Sequence, residues 1–142
     1  MSVRVFLDTG YLLALVRKND QHHQAALAGA ARFTGPYTTT SLILVELGNS
    51  LAAPAYRNVA VAVIDELKAD SRTTIVEFNS GYFEKTFDLY RNRMDQGWGF
   101  VDCFSFLIME HYGIHTALCF DSHFKQAGFA TPLLSEAAFR TH

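Results

Sequence analysis

The sequence predicts an α/β domain with a mostly parallel sheet, and three observations carry that prediction. Short β-branched and aromatic runs alternate with longer stretches whose apolar residues recur at helical spacing. Two of the strand-like runs, VFLDTG and LCFDSH, end in an aspartate followed by a small hydroxyl residue where a helix begins. No repeat, low-complexity segment or linker divides the 142 residues, so residues 1–142 are expected to form a single domain.

Val3 to Leu7 (VRVFL) reads as the first strand, with Asp8 at its carboxyl end and an apolar helix from Tyr11 to Val16. Asp20 is placed to cap a second helix from His22 to Phe33. Gly35 and Pro36 end that helix and lead into a strand at Tyr37 to Thr39. Thr40 or Ser41 caps a third helix, LILVELGNSLAA, and Pro54 separates it from an amphipathic helix over Tyr56 to Ala69. Thr73 to Phe78 (TTIVEF) reads as a strand, and Ser80 caps a helix through Arg93 with Phe83, Phe87 and Tyr90 at helical spacing. A polar connection then reaches GWGFVDCFSFLIMEHYGIHTALCFDSHF, a helix, a turn at Gly113, a strand at Thr116 to Phe120 and the start of another helix. Gly128 stops that helix, and a last strand, Ala130 to Leu134, precedes a polar tail.

A hydrophobic fraction of 49% with 12 Phe favours a packed core over disorder. The net charge of −2 carries no bulk signature of nucleic-acid binding, although a local patch would suffice. Cys103 and Cys119 each lie in an apolar run and read as buried free thiols of a reducing compartment. No apolar run reaches the ~18–20 residues of a membrane span, and the N-terminus lacks a secretory core. A soluble cytoplasmic protein with no membrane partner is expected.

Carboxylates interrupt the apolar pattern at four places. A charge among core residues costs roughly 2–7 kcal/mol or more unless it is compensated, and neither Asp102 nor Asp121 has Arg or Lys close in sequence. In open parallel sheets, ligands bind beyond the carboxyl ends of strands where strand order reverses. If their strands are neighbours, Asp8 and Asp121 face each other across that crevice. The plainer alternative is that each caps the helix after it, worth roughly 1 kcal/mol. Glu46, with Leu42, Ile43, Asn49 and Ser50 three and four residues away, lies at the edge of an apolar face; a snorkelling surface Glu is its alternative. Asp102 is flanked on its helix by Trp98, Gly99, Ser105 and Phe106, with a hydrogen bond to Ser105 as the structural alternative. Four converging carboxylates would repel one another and stay partly protonated. A divalent ion makes them hard oxygen ligands suited to Mg²⁺ or Mn²⁺. Such a site binds phosphate oxygens and activates water, which points to phosphodiester hydrolysis by in-line attack.

The succession DTGYLLAL, SLILVELGN, VDCFSFLIM and ALCFDSHFKQAGF resembles the PIN domain over essentially the whole chain, especially the toxin ribonucleases of toxin–antitoxin modules, the VapC kind. The resemblance implies a central five-stranded parallel sheet flanked by helices. It maps the family's metal-binding acids onto Asp8, Glu46, Asp102 and Asp121, with Thr9 as the hydroxyl residue after the first. It further implies cleavage of single-stranded or looped RNA leaving a 5′-phosphate and a 3′-hydroxyl, a homodimer, and inhibition by a cognate antitoxin. A PIN-like RNA-binding or scaffold protein without catalysis is the alternative, and retention of all four acids speaks against it. A phosphatase with an aspartyl nucleophile would want a second Asp two residues after the first, where Gly10 and Tyr11 cannot serve.

His123, two residues beyond Asp121, is a candidate for meeting the scissile phosphate or orienting Asp121, with surface packing as its alternative. Asp95 is a candidate outer acid, and Ser105 a candidate partner of Asp102. Trp98 is a candidate for base stacking or for the core. Lys85, Arg91 and Arg93 are candidate phosphate contacts or plain surface charges. His111 and His115 are separated by Gly113, so they do not share a helical face. His22 and His23 read as surface polar residues.

Overall fold

The computed structural model describes residues 3–134. At its centre is β1 (Val5–Leu7), buried on every residue, as a run of Val, Phe and Leu requires of a strand covered on both faces. Its flanking strands are β2 (Tyr37–Thr40) and β4 (Thr116–Leu118), and β3 (Thr73–Val76) lies outside β2. The order is β3-β2-β1-β4 and every pairing is parallel. Strand order therefore reverses between β1 and β4, the two strands followed by Asp8 and Asp121.

The helices are α1 (Thr9–Val16), α2 (His23–Arg32), α3 (Ser41–Ser50), α4 (Pro54–Ala69), α5 (Ser80–Asn92), α6 (Phe100–Tyr112) and α7 (His123–Gln126). They flank the sheet and close the core. α6 is the most deeply set, with Cys103, Phe104, Ser105, Phe106, Ile108 and Met109 all buried, which is why its sequence is apolar nearly all round. Its end is set by Gly113 in the left-handed conformation (φ 65°), open to glycine at little steric cost. Both cysteines are buried and free.

Among the described residues the sheet has four strands, where the family resemblance implied five. The segment expected as a last strand at Ala130 to Leu134 keeps only a parallel bridge between Ala130 and Thr116. Pro132 has no N–H to give a ladder, and residues 132–134 turn helical. Leu133 instead packs fully buried against α2, where a Cβ on Gly29 would come within 2.7 Å of its Cδ1. The expected polar tail lies outside the described residues.

Strand three also ends early, because the Phe78 N–H donates to the Ser41 hydroxyl at 2.9 Å rather than to a neighbouring strand. Helix boundaries shift at the caps. Asn79, not Ser80, accepts from the Tyr82 N–H at 2.9 Å and caps α5. Asp20 accepts from the His22 N–H at 2.8 Å, one turn before α2 begins. Thr40 caps α3 as expected, accepting from Ile43. Phe83, Phe87 and Tyr90 do share a face of α5, but that face is exposed and meets the protein through Phe100. Among the described residues, no helix is long and apolar enough to cross a membrane.

Candidate active site

Asp8 leaves the carboxyl end of β1, and its backbone N–H donates to the Leu118 carbonyl of β4 at 3.2 Å. Asp121 follows β4 by three residues, so the reversal of strand order brings the two aspartates to one crevice. Glu46 arrives from the second turn of α3, which β2 delivers directly. Asp102 lies in the first turn of α6. A cleft of about 510 Å³ is lined by Asp8, Thr9, Gly10, Glu46, Asn49, Ser50, Asp102, Asp121 and His123. All four acids singled out in the sequence thus face one space, from four separate elements.

Capping does not explain Asp8. It occupies the position before α1, yet its side chain makes no capping hydrogen bond. Only 6% of the residue is exposed. Burial pushes its carboxyl well above the ordinary value, Asp121 and Asp102 push it further, the Thr9 backbone N–H opposes them, and Glu46 adds to the rise. Burial likewise raises Asp102; the Gly99 N–H, donating at 3.1 Å, and the His123 ring oppose this, while Asp121 adds to it. A buried acid and a half-buried one are thus raised by desolvation and by neighbouring acids. Among the described residues, no Lys or Arg forms an ion pair with any of the four.

Two polar contacts fix the geometry. The Thr9 hydroxyl donates to Glu46 Oε1 at 2.6 Å, tying the start of α1 to α3. The His123 backbone N–H donates to Asp121 Oδ1 at 2.9 Å, closing a tight turn at the head of α7. The His123 ring Nδ1 stands 2.9 Å from Asp102 Oδ2 and 3.8 Å from Asp121 Oδ1. That first distance is one of contact, and Nδ1 is buried without a hydrogen bond of full alignment. One donor atom each from Asp102, Asp121 and His123 lies within 4.8 Å of the others, close enough to share a cation.

Other candidates settle elsewhere. Ser105 is buried and donates to the Val101 carbonyl at 3.0 Å, the i−4 bond common for a helical serine, so it neither holds Asp102 nor lines the cleft. Asp95 is held by Arg93 through two bonds of 3.0 Å, and that guanidinium lowers its carboxyl. Trp98 is core: it packs edge-on against Phe106, donates to Gln126 at 3.1 Å and carries Arg93 on its face. Arg91 lies over Phe87 and beside Asp88. His22 stacks on Phe120 and His23 Nδ1 lies 2.6 Å from the Ala14 carbonyl, so both are half-buried rather than plain surface residues. Sequence reasoning missed Gly10, Asn49 and Ser50 as cleft residues; the signal for the last two was their spacing of three and four from Glu46.

The family model described as PIN domain matches residues 5–130. Among solved structures, the chain is similar to VapC20 of Mycobacterium tuberculosis, described as a sarcin–ricin loop cleaving toxin. They share 25% identity at a TM-score of 0.81, over 89% of this chain and 96% of that one. FitAcB from Neisseria gonorrhoeae shares the fold at 13% identity and a TM-score of 0.63, over 89% and 95% of the two chains. VapBC2 from Rickettsia felis, solved bound to a DNA fragment from its promoter, does so at 15% identity and 0.61, over 91% and 96%. No curated protein matches the chain in sequence.

Proposed function

The chain belongs to the PIN domain family, and on that premise we propose that it is a metal-dependent endoribonuclease, the toxin of a toxin–antitoxin pair. One observation carries the reading: Asp8, Glu46, Asp102 and Asp121 reach a single cleft from four elements, with no Lys or Arg partner among the described residues. A buried Asp8 and a half-buried Asp102, both raised by desolvation and by neighbouring acids, are a poor structural device, whereas a divalent ion converts such carboxylates into oxygen ligands. The orphaned His123 Nδ1 beside them fits the same requirement.

In this reading Asp8, Glu46, Asp102 and Asp121 are the acids that would hold the ion, with Glu46 oriented by Thr9. When bound, Mg²⁺ or Mn²⁺ supplies charge to phosphate oxygens and lowers the pKa of a coordinated water. The chain's own part is positional. The end of β1 and the first turn of α6 set two carboxylates in one cleft, and Thr9 keeps Glu46 from swinging out. RNA phosphodiester hydrolysis then leaves a 5′-phosphate and a 3′-hydroxyl. A ribosomal loop is the first substrate to try, given the description of VapC20. A homodimer and a cognate antitoxin are the proposed assemblies.

The test is cleavage of end-labelled RNA by purified protein with Mg²⁺ or Mn²⁺, and its arrest by EDTA. Metal-dependent product with a 5′-phosphate is expected. Binding of RNA without any metal-dependent product would favour the catalytically silent alternative instead.

A further inference from the structure

We propose that His123 is a direct nitrogen ligand of the divalent ion, through Nδ1, and that it turns the cleft's preference from Mg²⁺ toward Mn²⁺. This rests on the metal-site reading above and goes beyond its four acids.

A buried polar nitrogen without a partner is rare in native proteins and asks for a group that completes it. His123 Nδ1 is such an atom, and it points into the acidic cluster. Its 2.9 Å contact with Asp102 Oδ2 lacks hydrogen-bond alignment. Two donors on adjacent corners of a shared ion, each at roughly 2.1 Å, lie about 3 Å apart without needing to point at each other. Asp121 Oδ1, at 3.8 Å, is within reach of the same ion. The ring is also held in place from behind. The His123 N–H donates to Asp121 Oδ1 and the next residue, Phe124, is fully buried, so imidazole and carboxylate move as one turn.

Donor chemistry then sets the preference. Mg²⁺ takes oxygen ligands almost exclusively, whereas first-row transition ions gain from an imidazole nitrogen. A set of carboxylates plus one imidazole therefore binds Mn²⁺ better, relative to Mg²⁺, than carboxylates alone.

The experiment is electron spin echo modulation of the full chain loaded with Mn²⁺, paired with calorimetric titration of Mn²⁺ and Mg²⁺. The wild type is expected to show ¹⁴N modulation from a bound imidazole. His123→Ala should lose it, with Mn²⁺ affinity falling about tenfold and Mg²⁺ affinity staying within about twofold. His123→Gln gives the same comparison if the alanine variant does not fold. Mn²⁺ that binds, is lost in Asp102→Asn, yet shows no ¹⁴N modulation in the wild type would overturn the proposal while leaving the acidic metal site standing. No Mn²⁺ binding at all would overturn both.

Discussion

Asp70 and Asp95 lie at the surface beside Arg72 and Arg93, whereas Asp8 and Asp102 lie in the cleft with no Lys or Arg partner among the described residues. The surface pair is satisfied. Asp70 accepts from the Thr73 hydroxyl at 2.7 Å and from Arg72, Asp95 accepts from Arg93 twice, and both carboxyls are held below the ordinary value by those bonds. The cleft pair is raised by burial and by other acids. The same residue type is thus satisfied by arginine in one region and raised by burial in the other. Raised carboxyls gathered in one crevice, at the strand-order reversal, mark that crevice as the candidate ligand site.

The widest separation between the regions is expected in catalysis. Asp102→Asn should lower RNA cleavage by at least ~100-fold, while Asp70→Asn and Asp95→Asn stay within about twofold of wild type in the same gel assay. Equal losses in both regions would erase the distinction. Next in size is stabilisation by metal. Mn²⁺ at ~100 times its Kd should add about 2.7 kcal/mol to unfolding, read as a rise in Tm that Asp102→Asn lacks and Asp95→Asn keeps.

The pH dependence of the metal-free protein sharpens the contrast, because the two regions have opposite sign. Asp8 and Asp102 bind protons more tightly folded than unfolded, so their contribution is present below the ordinary 3.8 and is lost as pH rises through the raised values. Asp70 and Asp95 contribute above 3.8 and lose it as pH falls through their lowered values. Urea unfolding over roughly pH 4 to 7 should therefore decline less steeply for Asp8→Asn than for wild type. Asp70→Asn should alter only the acid side. The smallest effect compares two threonines. Thr9→Val removes the Glu46 bond and should slow cleavage about tenfold, equivalent to the ~1.4 kcal/mol of one hydrogen bond to a charged group. Thr73→Val removes the matching bond to Asp70 and should leave the rate unchanged.

Much of this was legible in the sequence because strand ends and apolar helices leave local marks. VFLDTG and LCFDSH showed where two acids leave the sheet, and the apolar runs beside Asp102 and Glu46 singled those two acids out. What was not legible depended on choices between near partners. Ser105 bonds its own helix at Val101 instead of Asp102, and Asp95 takes the arginine two residues away. The contact of His123 with Asp102 spans 21 residues (123 − 102) and exists only because α7 packs against α6. The shortened fifth strand turned on Pro132 and on the space Gly29 leaves for Leu133. Local chemistry announced the acids, and packing decided their company.

The most direct measurement is the rate of RNA cleavage by folded Asp8→Asn protein at saturating Mn²⁺. This residue makes no side-chain capping bond, so its amide variant removes charge from the crevice while sparing the start of α1. The account predicts no product above the EDTA blank. A wild-type rate from that variant would contradict it.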